Sequence, residues 1–154
     1  MKTLLIRPPA TYTKDSLNPS VGIPIGLLYI AAMLEQGGFI VEILDCQVNP
    51  DNPLLENPDG SMQMGLPWEE IAQRVKRANA DIVGIGAPFS AQFHNSLHVA
   101  ELVRRIAPSA LIVMGGNHPT VRFDDCFGMS EFVFMLLSGS RVGRISSQRF
   151  YGNE

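Results

Sequence analysis

Gly115-Gly116-Asn117-His118-Pro119-Thr120 ends the apolar run Ala110 to Met114 and opens a polar loop. A strand running into paired glycines brings bare backbone to the strand's carboxyl end, which is where open α/β sheets bind their ligands. A second small-residue segment, Gly84-Ile85-Gly86-Ala87-Pro88-Phe89-Ser90, follows the run Ile82 to Ile85. Small residues there permit close approach, and Ser90 could donate to a phosphate or nucleotide oxygen. The competing reading of either segment is that its glycines only let a helix pack on a strand. Two such segments at adjacent strand ends favour binding.

Other chemistry-bearing residues carry less. His94 and His98 stand four apart and could share a helix face as metal ligands, but they lie beside Glu101 and Arg105, as on a solvated face. His118 sits in the candidate loop as a ligand contact or as a loop cap. Asp124-Asp125 could bind a metal, although such pairs more often cap a turn or a helix start. Cys46 and Cys126 are the only cysteines and lie far apart, so they form neither a disulfide framework nor a Cys-rich metal site.

The elements that must position these residues follow from short apolar runs alternating with helical stripes. The runs are Thr3 to Ile6, Ile40 to Leu44, Ile82 to Ile85, Ala110 to Met114 and Phe132 to Leu137. Their lack of period-two alternation suits strands buried on both faces of a parallel sheet. Three stripes lie between them: Leu27, Ile30, Ala31 and Leu34; Trp68, Ile71, Ala72 and Val75; Val99, Leu102, Val103 and Ile106. Gly37-Gly38 stops the first helix, Pro67 with Glu69 and Glu70 starts the second, and Pro108 closes the third. This order predicts a doubly wound, flavodoxin-like (Rossmann-like) α/β domain over residues 1–137, a three-layer parallel sheet of strand order 2-1-3-4-5. Residues 46–66, with Asn49-Pro50, Asn52-Pro53 and Asn57-Pro58, read as a long connection. Residues 138–154 have three arginines and no apolar stripe, and read as a truncated or non-native end.

Composition narrows the classes. A chain of 154 residues, 45% hydrophobic and 18% charged, is one soluble globular domain's worth. A net charge of -3 makes no case for nucleic acid or an anionic membrane. The first apolar run is too short for a signal peptide and no later run reaches spanning length, so a cytoplasmic protein is expected. The first loop, Arg7-Pro8-Pro9-Ala10-Thr11, has neither the glycine pattern of a phosphate loop nor the acidic cluster of a phospho-receiver.

Taken in order, Arg7-Pro8-Pro9, Pro24-Ile25-Gly26-Leu27-Leu28-Tyr29-Ile30-Ala31-Ala32, Gly38 through Asp45, Ile82-Val83-Gly84-Ile85 and Gly115 through Thr120 resemble the N-terminal cobalamin-binding domain of B12-dependent radical SAM enzymes. The resemblance covers residues 2–125. It implies a corrin over the carboxyl edge of the sheet and a nucleotide tail beside the strands. Backbone at Gly115 and Gly116 would meet the tail, Phe89 and Ser90 would contact the cofactor, Arg7, Pro8 and Pro9 would lie at the corrin's lower face, and Asn117 and His118 would line the nucleotide end. The Asp-x-His-x-x-Gly motif that gives some B12 domains a cobalt-binding histidine is absent from the first loop, as is common in the radical SAM branch. The Cys-x-x-x-Cys-x-x-Cys motif for an iron-sulfur cluster is absent as well, and Leu137 runs into Ser138-Gly139-Ser140-Arg141 instead of an acidic turn. The implied function is therefore an accessory cobalamin domain of a radical SAM methyltransferase or related iron-sulfur oxidoreductase. The iron-sulfur cluster and S-adenosylmethionine would belong to a downstream barrel. The alternative is a flavodoxin-like module without cofactor that serves as a docking surface.

Overall fold

The computed structural model describes residues 1–16, 22–51, 54–122 and the strand pair 133–134. Five strands form a parallel sheet: β1 (Lys2–Arg7), β3 (Ile40–Asp45), β6 (Ile82–Gly86), β7 (Leu111–Gly115) and β8 (Val133–Phe134). Their spatial order is β3-β1-β6-β7-β8, and every adjacent pair is parallel. Helices α1 (Ile25–Gln36), α2 (Trp68–Ala78) and α3 (Phe93–Ile106) are the crossovers. Because parallel crossovers are right-handed, the leftward step from β1 to β3 puts α1 on one face, and the rightward steps put α2 and α3 on the other. The result is a three-layer α/β domain.

The expected stripes are the ones that pack. Ile71 and Val75 of α2 and Val99, Leu102 and Val103 of α3 are buried against Leu4, Ile6, Val83, Ile85, Ile112 and Met114 of the sheet. The helix ends also follow local chemistry. Gly37-Gly38 stops α1, with the Phe39 N–H returning to the Leu34 carbonyl. Helix α2 carries Glu69 and Glu70 in its first turn and Lys76 and Arg77 in its last, each complementing the helix dipole.

The opposite face behaves differently. Helix α1 packs on β1 and β3. Along β6 and β7, buried Val83, Ile85, Ile112 and Met114 alternate with more exposed Ile82, Gly84, Gly86, Leu111, Val113 and Gly115. The strands were expected to be buried on both faces. They alternate because, among the described residues, no helix covers the α1-side face of β6 and β7.

Two further differences concern loops. The long connection of residues 46–66 contains β4 (Leu54–Glu56) and β5 (Met62–Met64), which join β2 (Ala10–Tyr12) in an antiparallel sheet of order β2-β5-β4. Strands of three residues are too short to show a periodicity. The turn between them was nevertheless readable. Asn57-Pro58-Asp59-Gly60 places proline second and glycine last, and the Gly60 N–H donates to the Asn57 carbonyl at 2.9 Å. The polar loop after β7 is in part a short helix, α4 (Asn117–Val121); Pro119 fits because first-turn N–H groups need no intrahelical partner. Asp124, Asp125, Cys126, most of the run Phe132 to Leu137 and the tail 138–154 lie outside the described residues.

Candidate functional site

The carboxyl edge of the parallel sheet divides into two halves. On the β1 and β3 side it is occupied by the small antiparallel sheet, anchored at Gly65, whose φ is +122° and where a Cβ would lie 1.9 Å from the Cys46 carbonyl oxygen. Gln63, buried within that sheet, donates to the Leu66 carbonyl at 2.7 Å. Pro8 and Pro9 are buried beneath it, and Gln47 Nε2 donates to the Pro8 carbonyl at 3.1 Å. Arg7 is held by two neighbours: Nη1 lies 3.2 Å from Asp45 Oδ2 on the adjacent strand and donates to the Gly22 carbonyl at 2.6 Å. The guanidinium thus joins β1 to β3 and to the segment entering α1. The thiol of Cys46 is fully buried, and burial followed by the charge of Asp45 pushes its pKa far up, so it is a packing group and no nucleophile.

On the β6 and β7 side the strand exits are tied together. The Ala87 N–H donates to the Gly115 carbonyl at 2.7 Å, and the Ala87 carbonyl accepts from the His118 N–H at 3.2 Å. Gly116, with φ +132°, lets the chain pass there. His118 is buried, its ring 3.8 Å from that of Phe93 and its Nδ1 2.8 Å from Ser90 Oγ. Since Phe93 belongs to α3, this pair lies on the α2/α3 side of the sheet. It lines an open cleft of about 430 Å³ together with Phe93, His94, Leu97 and Arg122. Phe93, Leu97 and Arg122 were not anticipated; Phe93 and Leu97 are four apart at the start of α3, a spacing that could have shown them. His98, four residues from His94, stacks instead on Trp68 of α2 at 3.9 Å between ring centroids. The two exposed histidines therefore do not converge. No cluster of three or more His, Cys, Asp or Glu suited to a metal occurs among the described residues.

The α1-side face holds the other part of the site. Gly84 pairs with Val113 and Gly86 with Gly115, so two glycines lie side by side where β6 and β7 end. A Cβ on Gly86 would meet only the Ile6 carbonyl oxygen, at 3.6 Å, and one on Gly84 only Leu5 Cδ2, at 2.7 Å. The Leu5 side chain fills the space over Gly84, so among the described residues the sheet is bare only at Gly86 and the neighbouring Gly115, a shallow trough at the carboxyl edge. Phe89, 66% exposed, stands at that edge. Exposed Ile23, Val48 and Val121 also lie close to strand exits or to the start of α1. Bare backbone at Gly86 and Gly115, with exposed Phe89 just beyond β6, leaves room for a ligand to lie against the strand ends.

A family model described as the B12 binding domain matches residues 19–139. The chain belongs to the B12 binding domain family. Its match to this family begins after the Arg7-Pro8-Pro9 loop. Among curated proteins, the chain is similar to the cytidylyl-2-hydroxyethylphosphonate methyltransferase of Streptomyces wedmorensis, 32% identical over 98% of this chain and 30% of that protein. It is also similar to an uncharacterized methyltransferase of Pyrococcus horikoshii, 31% identical over 78% of this chain and 22% of that protein. The chain thus spans less than a third of the length of these curated relatives. No solved structure gives a significant match. No helix among the described residues is long and apolar enough to cross a membrane.

For this B12 binding domain, the residues present fit the cofactor that the family's name implies. Gly86 and Gly115 leave backbone bare at the strand ends, where a Cβ on Gly86 would meet only the Ile6 carbonyl oxygen, and exposed Phe89 follows β6. The three histidines are His94 and His98 on α3 and the buried His118 beside Phe93. None lies in the loop leaving β1, so these residues suit cobalamin held without an imidazole from that loop.

Proposed function

We propose that this chain is the cobalamin-holding part of a larger methyltransferase. The observation that carries the reading is the bare glycine pair Gly86 and Gly115 at the strand ends, with exposed Phe89 just beyond β6. Phe89, Ile23 and Val48 would hold the corrin by apolar contact, and Gly86 and Gly115, with exposed Asn117 beyond them, would take the nucleotide tail. Gly116, Ser90 and His118 would act from behind, fixing the exit of β7 against that of β6. Arg7, Pro8 and Pro9 would support the corrin's lower side by holding the small sheet in place. Burial of Pro8, Pro9 and Ala10 also keeps water from that side. When bound, cobalamin supplies a methyl group for transfer.

In the finer reading, the rest of the polypeptide contains a radical SAM barrel that uses S-adenosylmethionine and an iron-sulfur cluster to prepare the methyl acceptor. The sequence resemblance supports this, and the two methyltransferase relatives, which extend well beyond the matched stretch, support a larger protein. Such an enzyme would work in a reducing, cytoplasmic setting.

Adding hydroxocobalamin to the purified chain tests the reading. The cofactor's visible spectrum is expected to change, and at a hundredfold excess over Kd the melting temperature to rise by on the order of 5 °C or more. An unchanged spectrum together with an unchanged melting temperature overturns it.

One observation favours a second reading, a docking module without cofactor. Helix α1 is apolar on both sides: Leu27, Ile30, Ala31 and Leu34 face the sheet, while Ile25, Leu28, Tyr29 and Met33 are exposed, Tyr29 by 74%. A helix apolar all round is normally buried. Partner binding that survives in a chain without cobalamin affinity would establish this second reading.

A further inference from the structure

Gln92 lies in the turn between β6 and α3, and its side-chain amide treats Thr11 as a neighbouring strand would. Thr11 donates its backbone N–H to Gln92 Oε1 at 2.8 Å, and Gln92 Nε2 donates to the Thr11 carbonyl, also at 2.8 Å. Asn95, buried one turn into α3, completes the set. Its Nδ2 donates to Gln92 Oε1 at 2.9 Å and to the Thr11 hydroxyl at 3.1 Å, and that hydroxyl lies 3.2 Å from Asn95 Oδ1. The N–H, carbonyl and hydroxyl of Thr11 are all committed to residues 81 and 84 positions away.

Two bonds of opposite sense between one amide and one residue's backbone copy a rung of an antiparallel ladder. Gln92 therefore acts as a one-residue strand on the open edge of β2, whose other edge pairs with β5. Few side chains can do this. Glutamate lacks the donor, methionine lacks both groups, and asparagine is one methylene shorter.

We propose that Gln92 is a positioning residue that locks the loop leaving β1 to the loop leaving β6, setting the spacing across the carboxyl edge at which a large planar cofactor is held. The inference rests on the cobalamin reading. Its geometric basis is independent of that reading, because Gln92 is three residues from Phe89 while Thr11 is four from Arg7.

Gln92→Met is nearly isosteric and removes both bonds to Thr11, whereas Gln92→Glu keeps the acceptor and loses the donor. Gln92→Met is expected to weaken hydroxocobalamin binding about tenfold, with Gln92→Glu between it and the unaltered chain. At saturation the visible spectrum of cobalamin bound to Gln92→Met should differ from that of the unaltered complex, a change that lost stability alone would not produce. In hydrogen exchange, the Thr11 amide should be slow in the unaltered chain and fast in Gln92→Met, while the Val83 and Ile112 amides stay slow in both. Unaltered affinity and spectrum in Gln92→Met overturn the proposal, as does a fast Thr11 amide in the unaltered chain. If Gln92→Met does not fold, Gln92→Glu carries the same comparison. If the unaltered chain binds no hydroxocobalamin, the cobalamin reading is what fails, and Thr11 exchange then supports or overturns the clamp by itself.

Discussion

A Cβ on Gly116 would stand 2.5 Å from the carbonyl oxygen of Ala87. That oxygen also accepts the His118 N–H, so the exit of β7 crosses the exit of β6 at van der Waals limits, and the glycine is needed for the crossing. Gly116→Ala meets both this contact and the strain of a φ of +132°. We expect a loss of about 1 to 3 kcal/mol in urea unfolding, more if the two strand exits separate. A variant as stable as the parent would show that the crossing can relax without cost.

Ser90 and His118 form the next tie, and its removal should be felt locally. Ser90→Ala takes away the hydroxyl 2.8 Å from His118 Nδ1, at a ring that is buried against Phe93. Ser90 is exposed and the bond only half-buried, so water replaces part of the lost hydroxyl and the cost is about 0.5 to 1.5 kcal/mol. Ser90→Thr, which keeps the hydroxyl, should recover most of it. Nuclear magnetic resonance of the His118 ring would report the change, and an unshifted ring signal in Ser90→Ala would contradict the contact.

Cys46 should be chemically silent in the folded chain. Burial raises its thiol pKa well above the ordinary 9.0, so the folded state keeps the proton while the unfolded chain releases it. A group whose folded pKa is raised contributes stability that is complete below its unfolded value and lost as pH climbs toward the folded one. Stability should accordingly decline above pH 9.0. In a Cys126→Ser background, labelling by a thiol reagent at pH 8 should track global unfolding; rapid labelling of the native chain would refute this.

The hairpin between β4 and β5 has the opposite pH dependence. The Ser61 hydroxyl and then its backbone N–H donate to the Asp59 carboxylate, at 2.6 and 2.9 Å, holding its pKa below the ordinary 3.8. The contribution is present above that value and lost as pH falls through the lower folded one. Exchange of the Ser61 amide, corrected for its intrinsic acid dependence, should accelerate below pH 3.8, and Asp59→Ala should show the faster rate at every pH.

The parallel-sheet strands and three crossover helices were legible because their signals are local. Ile71 and Val75 fall on one side of α2 whatever surrounds it, and Gly37-Gly38 ends α1 through bonds to its own last turn. The small antiparallel sheet was missed because its strands are three residues long, although Asn57-Pro58-Asp59-Gly60 marked its turn. Within the site, Phe89, Ser90, Gly115 and His118, named from the sequence as cofactor contacts, lie at the carboxyl edge where β6 and β7 end. Ser90 and His118 meet on the α3 side, however, while Gly86 and Gly115 leave the other face bare. A strand's alternation assigns neighbouring residues to opposite faces, but a loop's residues have no such rule.

The sequence by itself determined the doubly wound α/β class and the strand ends at which small residues gather, because periodicity, helix punctuation and glycine placement are properties of a few neighbouring residues. Only the tertiary structure decided what those glycines do. Gly116 is paired with Ala87, Gly65 with Cys46, and Thr11 with Gln92 across 81 residues. Such contacts depend on the sheet order and on which face each helix covers, and no local pattern encodes the distance between two chain segments that meet only after folding.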